Sequence, residues 1–180
     1  MQFRNLRADE IEARVQSIKQ KNGVPTGAVL LLYKNARCDM NLLDETVGAE
    51  NWQREHYECK CNLFCRVGIC CNGEWVYKSD CGTESNTEAQ KGEASDSFKR
   101  ACFNWGIGRE LYTSPFIWIP ADKFETYDTG RKDRNGSPIF ATNDRFSVEK
   151  IITEDKQIKA LAIRNDTKNV RAYVWQQEPQ

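Results

Sequence analysis

The residues best placed to do chemistry lie between Glu88 and Tyr112, where Lys99 and Arg100 stand side by side and Lys91 precedes them by eight positions. Adjacent cations of this kind suit phosphate oxygens. They grip a polyanion by releasing its counterions, so binding through them depends on salt and tolerates any base sequence. On an isolated helix the same pair is more often a solvated face that contributes little. A second set of reactive side chains is the cysteines: Cys38, Cys59, Cys61, Cys65, Cys70, Cys71, Cys81 and Cys102. Zinc binding would need ligand spacing that is not there, since no CxxC pair occurs and the single histidine, His56, stands three residues before Cys59. Among the acids, Asp39, Asp44 and Glu45 could serve Mg²⁺, but on a short helix such residues read as its wet face. No GxxxxGK[ST], GxSxG, HExxH or dinucleotide fingerprint is present, so enzymatic chemistry has no motif behind it and no metal or cofactor is expected.

The element that must carry the Lys-Arg pair is the clearest helix in the chain. Ala94, Phe98, Ala101, Cys102 and Trp105 fall at helical steps and form one buried stripe, with Lys91, Ser95, Lys99 and Arg100 off it. Ser85 and Thr87, followed three residues later by Glu88 and Gln90, offer capping boxes at the start, and Gly106 with Gly108 supplies the stop. Before this helix, Tyr57, Cys59, Cys61, Leu63, Cys65, Val67, Ile69 and Cys71 share odd parity, while Glu58, Lys60, Asn62 and Arg66 lie between them. The alternation is that of strands with one buried face, on which cysteine serves as a small hydrophobe. Fifteen residues exceed an ordinary strand, so an interruption near Asn62 is expected. Asn72-Gly73 is a hairpin signal. A two-residue loop would pair Ile69 with Val76, whereas a three-residue loop with a bulge at Gly73 would set Trp75 opposite Ile69 and collect the apolar side chains on one face; the latter is predicted.

Elsewhere, Ile11, Val15 and Ile18 predict an amphipathic helix over Ala8 to Gln20, broken by Gly23, Pro25 and Gly27. A buried strand follows at Ala28 to Tyr33, then a short helix at Asp39 to Val47 ended by Gly48. Phe116 to Pro120 reads as a strand and Asp128 to Asn143 as a mobile loop in which Arg131, Lys132 and Arg134 could touch phosphate. Three alternating runs from Phe146 to Trp175 predict a terminal three-stranded meander. The fold class is therefore α+β, an antiparallel β-β-β-α core with an N-terminal helix and a C-terminal β-meander. One domain over 1–180 is expected, with a core at 1–112 and strands plus a basic loop at 113–180.

The formal charge is zero and the pI near 6.6, so affinity for a polyanion must come from local clustering. MQFRNLRADEIEARV contains no apolar leader and no run approaches a membrane span, which points to the cytoplasm, where thiols stay reduced.

The run KGEASDSFKRACFNWGIGRELY resembles the signature helix of the Rad fifty-two/twenty-two double-strand break repair family, the single-strand annealing proteins. The positions that match are Lys91, Glu93, Ala94, Asp96, Lys99, Arg100, Ala101, Trp105 and Gly106. Weaker similarity extends back to about Arg37 and on toward the N-terminus, and is not traced past about Tyr112. The resemblance implies a β-β-β-α core and a non-enzymatic protein that binds single-stranded DNA and anneals complementary strands without ATP. It further implies a homo-oligomeric ring, with a host single-strand DNA-binding protein as a candidate partner. Lys99 and Arg100 take the role of the helix residues on the DNA backbone, Lys91 belongs to the same basic ridge, and Arg37 corresponds to an arginine ahead of the second helix. Phe103 stands where the best-known members carry another cation, and either stacks on DNA or packs against a neighbour. Two other readings compete: a double-stranded RNA-binding module, which shares the β-β-β-α outline, and a zinc or thiol protein built on Cys59 to Cys81.

Overall fold

Tight two-residue turns and one long apolar stripe organise the first half of the chain; the computed structural model describes residues 1–83 and 89–178. The capping boxes expected at Ser85 and Thr87 lie outside the described residues. Among these, the order is β1 (Glu12–Lys21), β2 (Val24–Tyr33), α1 (Ala36–Val47), β3 (Trp52–Cys59), β4 (Asn62–Cys71), β5 (Glu74–Cys81), α2 (Ala89–Asn104), β6 (Ile117–Pro120), β7 (Tyr127–Lys132), β8 (Pro138–Ala141), β9 (Phe146–Glu154), β10 (Gln157–Asn165) and β11 (Val170–Gln176). The class is α+β, and the strands pair antiparallel. Among the described residues no helix is long and apolar enough to cross a membrane. Two compact units emerge, one of Met1–Leu6 with Lys34–Arg109, the other of Arg7–Tyr33 with Glu110–Gln180.

In the first unit, β3, β4 and β5 form a sheet in that order and α2 packs on one face of it. Phe98, Ala101 and Cys102 of the helix stripe are fully buried against Cys65, Val67 and Ile69 of β4's odd face. Burying Phe98 alone contributes roughly 2–3 kcal/mol. Trp52 stacks on its ring at 6.2 Å. His56 of β3 joins this packing, its Nε2 lying 3.0 Å from the Ala94 carbonyl oxygen. The helix stops as expected, with Gly106 at φ 95° and Gly108 at φ 73°. Helix α1 starts earlier than Asp39: Asn35 caps it by accepting from the Cys38 N–H at 2.9 Å, and Gly48 at φ 87° ends it.

The interruption near Asn62 is a turn at Lys60-Cys61, both in the left-handed region, and Asn72-Gly73 turns in the same way at φ 53° and 85°. These two-residue loops correct two expectations. Ile69 pairs with Val76 and Cys71 with Glu74, so the bulged three-residue register does not form. A mirror-image turn already matches the strand twist and needs no bulge. Trp75 and Tyr77 consequently share the outer face with Arg66 and Gly68, where they stack on each other at 6.4 Å and Arg66 lies over the Tyr77 ring. The Lys60-Cys61 turn likewise sets odd residues of β4 opposite even residues of β3, as in His56 opposite Cys65. The odd cysteines therefore do not share one buried face: Cys65 is buried, whereas Cys59 and Cys61 are exposed.

Gly82, just after β5, lies against α2. A Cβ there would stand 2.2 Å from the Glu93 carbonyl oxygen and 2.8 Å from the Ser97 nitrogen. Backbone cannot step aside as a side-chain tip can. Gly82→Ala is expected to cost about 3 kcal/mol or more, read as a fall in the urea midpoint; a change below about 0.5 kcal/mol would show that the backbone there relaxes freely.

In the second unit the order β11-β10-β9-β1-β2-β6 makes one sheet. The C-terminal meander is present as expected, but the N-terminal helix is not: residues 12–21 are strand β1. Gln16 is an extra residue between the Val15–Leu30 and Ser17–Val29 pairs. This bulge switches the inward parity from Ala13 and Val15 to Ile18 and Gln20, so that Ile11, Val15 and Ile18 imitate helical spacing. The segment read as a mobile loop contains the hairpin β7–β8, whose turn Asp133 closes by accepting from the Asn135 and Ser137 N–H groups at 2.8 and 2.9 Å.

Candidate nucleic-acid interface

Helix geometry separates adjacent residues by about 100°, so Lys99 and Arg100 point to either side of Phe103, one turn further on. Both cations are half-buried. Arg100 Nε lies 3.2 Å from Asp80 Oδ1, and its side chain remains 43% exposed. Lys99 has no acidic partner at ion-pair distance among the described residues. Lys91 is exposed in the first turn of α2, roughly 12 Å along the axis from Lys99. Arg37 is exposed too, inside the first turn of α1 rather than ahead of it. Helix α1 packs on α2.

Phe103 is half-buried, and the Lys34 ammonium lies over its ring, 4.2 Å from the centroid. Lys34 is itself buried. It forms an ion pair with Asp39, their side chains being 1% and 0% exposed, and donates to the Lys99 carbonyl at 3.3 Å. The expectation that Asp39 lies on the wet face of α1 is thereby corrected; it faces inward with Cys38, Leu42 and Leu43, while Asp44 and Glu45 are on the outer side. Burial pushes the Asp39 carboxyl up to about 6, against the pull of Lys34 and, more weakly, of Lys99. One oxygen, Oδ2, has no hydrogen-bond partner.

Two further cations meet the C-terminal end of α2. Lys78 donates to the Asn104 carbonyl at 2.9 Å and lies over the Trp105 ring at 4.5 Å. Arg109 donates to the carbonyls of Phe103 and Asn104 at 2.8 and 2.9 Å. These bonds satisfy carbonyls that a helix end leaves open and offset its negative dipole. Neither Lys78 nor Arg109 has an acidic partner among the described residues, so both charges remain available to an anion. Sequence reading passed over both. Lys78 was findable, because the two-residue Asn72-Gly73 loop sets it opposite Val67, on the helix-covered face of β5.

Two of the cysteines are held as thiols. Burial raises Cys65 to about 11 and Cys102 well above the ordinary thiol value, so both stay protonated. Among the described residues no three His, Cys, Asp or Glu side chains gather as a metal site.

Compared with known proteins, residues 3–125 match the family model described as Rad52/22 family double-strand break repair protein. No curated protein and no solved structure matches significantly.

Proposed function

Because the chain belongs to the Rad52/22 family of double-strand break repair proteins, we propose that it holds single-stranded DNA by its phosphates and speeds the annealing of complementary strands, without ATP and without catalysing a covalent step. The observation that carries this reading is the end of α2. Lys78, Lys99 and Arg109 surround it with no acidic partner among the described residues, and Arg100 adds a fourth cation that Asp80 holds in place. Such an array grips phosphate and leaves base edges free to find a complement, so affinity falls with salt and changes little with sequence. On the same reading each subunit of a homo-oligomeric ring would contribute one such segment to a continuous track, with a host single-strand DNA-binding protein as partner in the cytoplasm.

The test is an annealing assay with two complementary oligonucleotides, in EDTA and without nucleotide, followed by the size of the protein on a calibrated gel-filtration column. Acceleration over the spontaneous rate and elution well above 20.8 kDa are expected. A protein that binds a double-stranded RNA more tightly than either DNA strand, or that fails to accelerate annealing, would sink the proposal.

A further inference from the structure

We propose a second phosphate-binding surface, formed by the β7–β8 hairpin together with the tip of β1–β2, that takes the backbone of single-stranded DNA through Lys19, Lys21, Arg131, Lys132 and Arg134. It rests on the DNA-binding reading above but uses none of the same residues. The hairpin also lies beyond residues 3–125, the extent of the family match.

Three observations place these cations together. First, Gln20 Nε2 donates to the Pro138 carbonyl at 2.6 Å, and Pro138 is the strand partner of Lys132. Lys19 and Lys21 flank Gln20, so the end of β1 and the base of the β7–β8 turn meet. Second, all five cations are exposed and none has an acidic partner among the described residues. Third, the acids nearby are already engaged by backbone. Asp133 Oδ1 accepts from the Asn135 and Ser137 N–H groups, and Asp128 Oδ1 accepts from the Gly130 N–H at 2.8 Å. From Ala13 to Tyr33 there is no acidic residue at all.

A chain of zero formal charge has therefore concentrated five cations without acidic partners at one corner of a unit. Like charges held this close repel one another, and a strand of phosphates relieves that repulsion while releasing its own counterions. The set of long side chains is open and extended, which suits a flexible polyanion that can follow it.

The measurement is the salt dependence of binding to a labelled oligothymidine, by fluorescence anisotropy on the full chain. Arg131→Ser/Lys132→Ser/Arg134→Ser is expected to flatten the log-log slope by about 2, roughly 0.7 for each phosphate no longer gripped. The independent pair Lys19→Gln/Lys21→Gln, on a different strand, is expected to flatten it by about 1.4; should the triple variant fail to fold, this pair decides. Arg131→Lys/Arg134→Lys, which keeps the charge, is expected to leave the slope in place. Unchanged slopes in the serine and glutamine variants would overturn the surface; if Lys99→Ala/Arg100→Ala still lowers the slope, the annealing reading survives that result. A wild-type protein with no salt-dependent DNA affinity would overturn both. A weakening seen on duplex DNA but absent on the single strand would overturn the assignment to single strands.

Discussion

Lys34→Met is expected to destabilise the protein by about 3–5 kcal/mol at pH 7.5, and by less at pH 5. The lysine ammonium and the Asp39 carboxylate are almost wholly removed from water, and each is the other's principal compensation. Truncating one partner leaves a buried charge whose second oxygen already lacks a hydrogen-bond donor. The sign of the pH effect follows from Asp39, whose folded value of about 6 stands above the ordinary 3.8. The folded state thus takes up this proton more readily than the unfolded chain. Stability from this group is full below about pH 4, declines as pH rises through 6, and is level beyond. Without Lys34 the carboxyl moves higher still, the declining window extends toward neutrality, and acidification restores part of the loss by neutralising the orphan. Lys34→Met/Asp39→Leu, which removes both charges, is expected to return most of the stability. Urea midpoints at the two pH values check all three statements. A single-variant cost below about 1 kcal/mol at pH 7.5, or one that does not shrink on acidification, would show that the pair is solvated.

The second large effect concerns function. Lys99→Ala/Arg100→Ala is expected to leave the protein folded and oligomeric while annealing falls sharply and the log-log salt slope flattens by about 1.4, or roughly 0.7 per phosphate. The fold should survive because the buried stripe of α2 runs through Phe98, Ala101 and Cys102, not through the pair. Asp80 loses Arg100 but keeps its bond from the Cys81 N–H, so the stability change should stay near or below about 1 kcal/mol. Unaltered annealing and slope would make the pair a solvated helix face. Loss of the oligomer would place it at a junction between subunits.

What the sequence disclosed depended on whether the signal was local. The stripe of α2 and its glycine stop were readable because Phe98, Ala101, Cys102 and Gly106 encode a period and a break within a few residues. The meander from Phe146 to Gln176 was readable for the same reason. Strand β1 was not, because a single bulge at Gln16 shifts the parity of everything after it. The β4–β5 register failed on the premise that all large apolar side chains seek one face; Trp75 and Tyr77 instead cover each other on the outer one. Asp39 carried a hint, since Leu42 and Leu43 lie three and four residues on, along the same buried arc. Lys34 carried none. A lysine after a strand is ordinarily solvated, and only the tertiary closure of α1 and α2 over it supplies Asp39, the Lys99 carbonyl and the Phe103 ring together.

The division of the chain has a consequence for its synthesis. Strands β1 and β2 are made early, yet β1 finds its other neighbour only when Phe146 and Ser147 emerge, long after Glu12 and Ala13. At ~5–20 residues per second that interval is on the order of ten seconds. The unit of Met1–Leu6 with Lys34–Arg109 has by contrast been made in full well before Phe146 emerges. Throughout the wait the first hairpin presents an unpaired edge, the kind of surface on which nascent chains stick to one another. Arg14, Lys19 and Lys21, with no acid between Ala13 and Tyr33, give that edge the positive charge that keeps neighbouring copies apart until the last strands arrive.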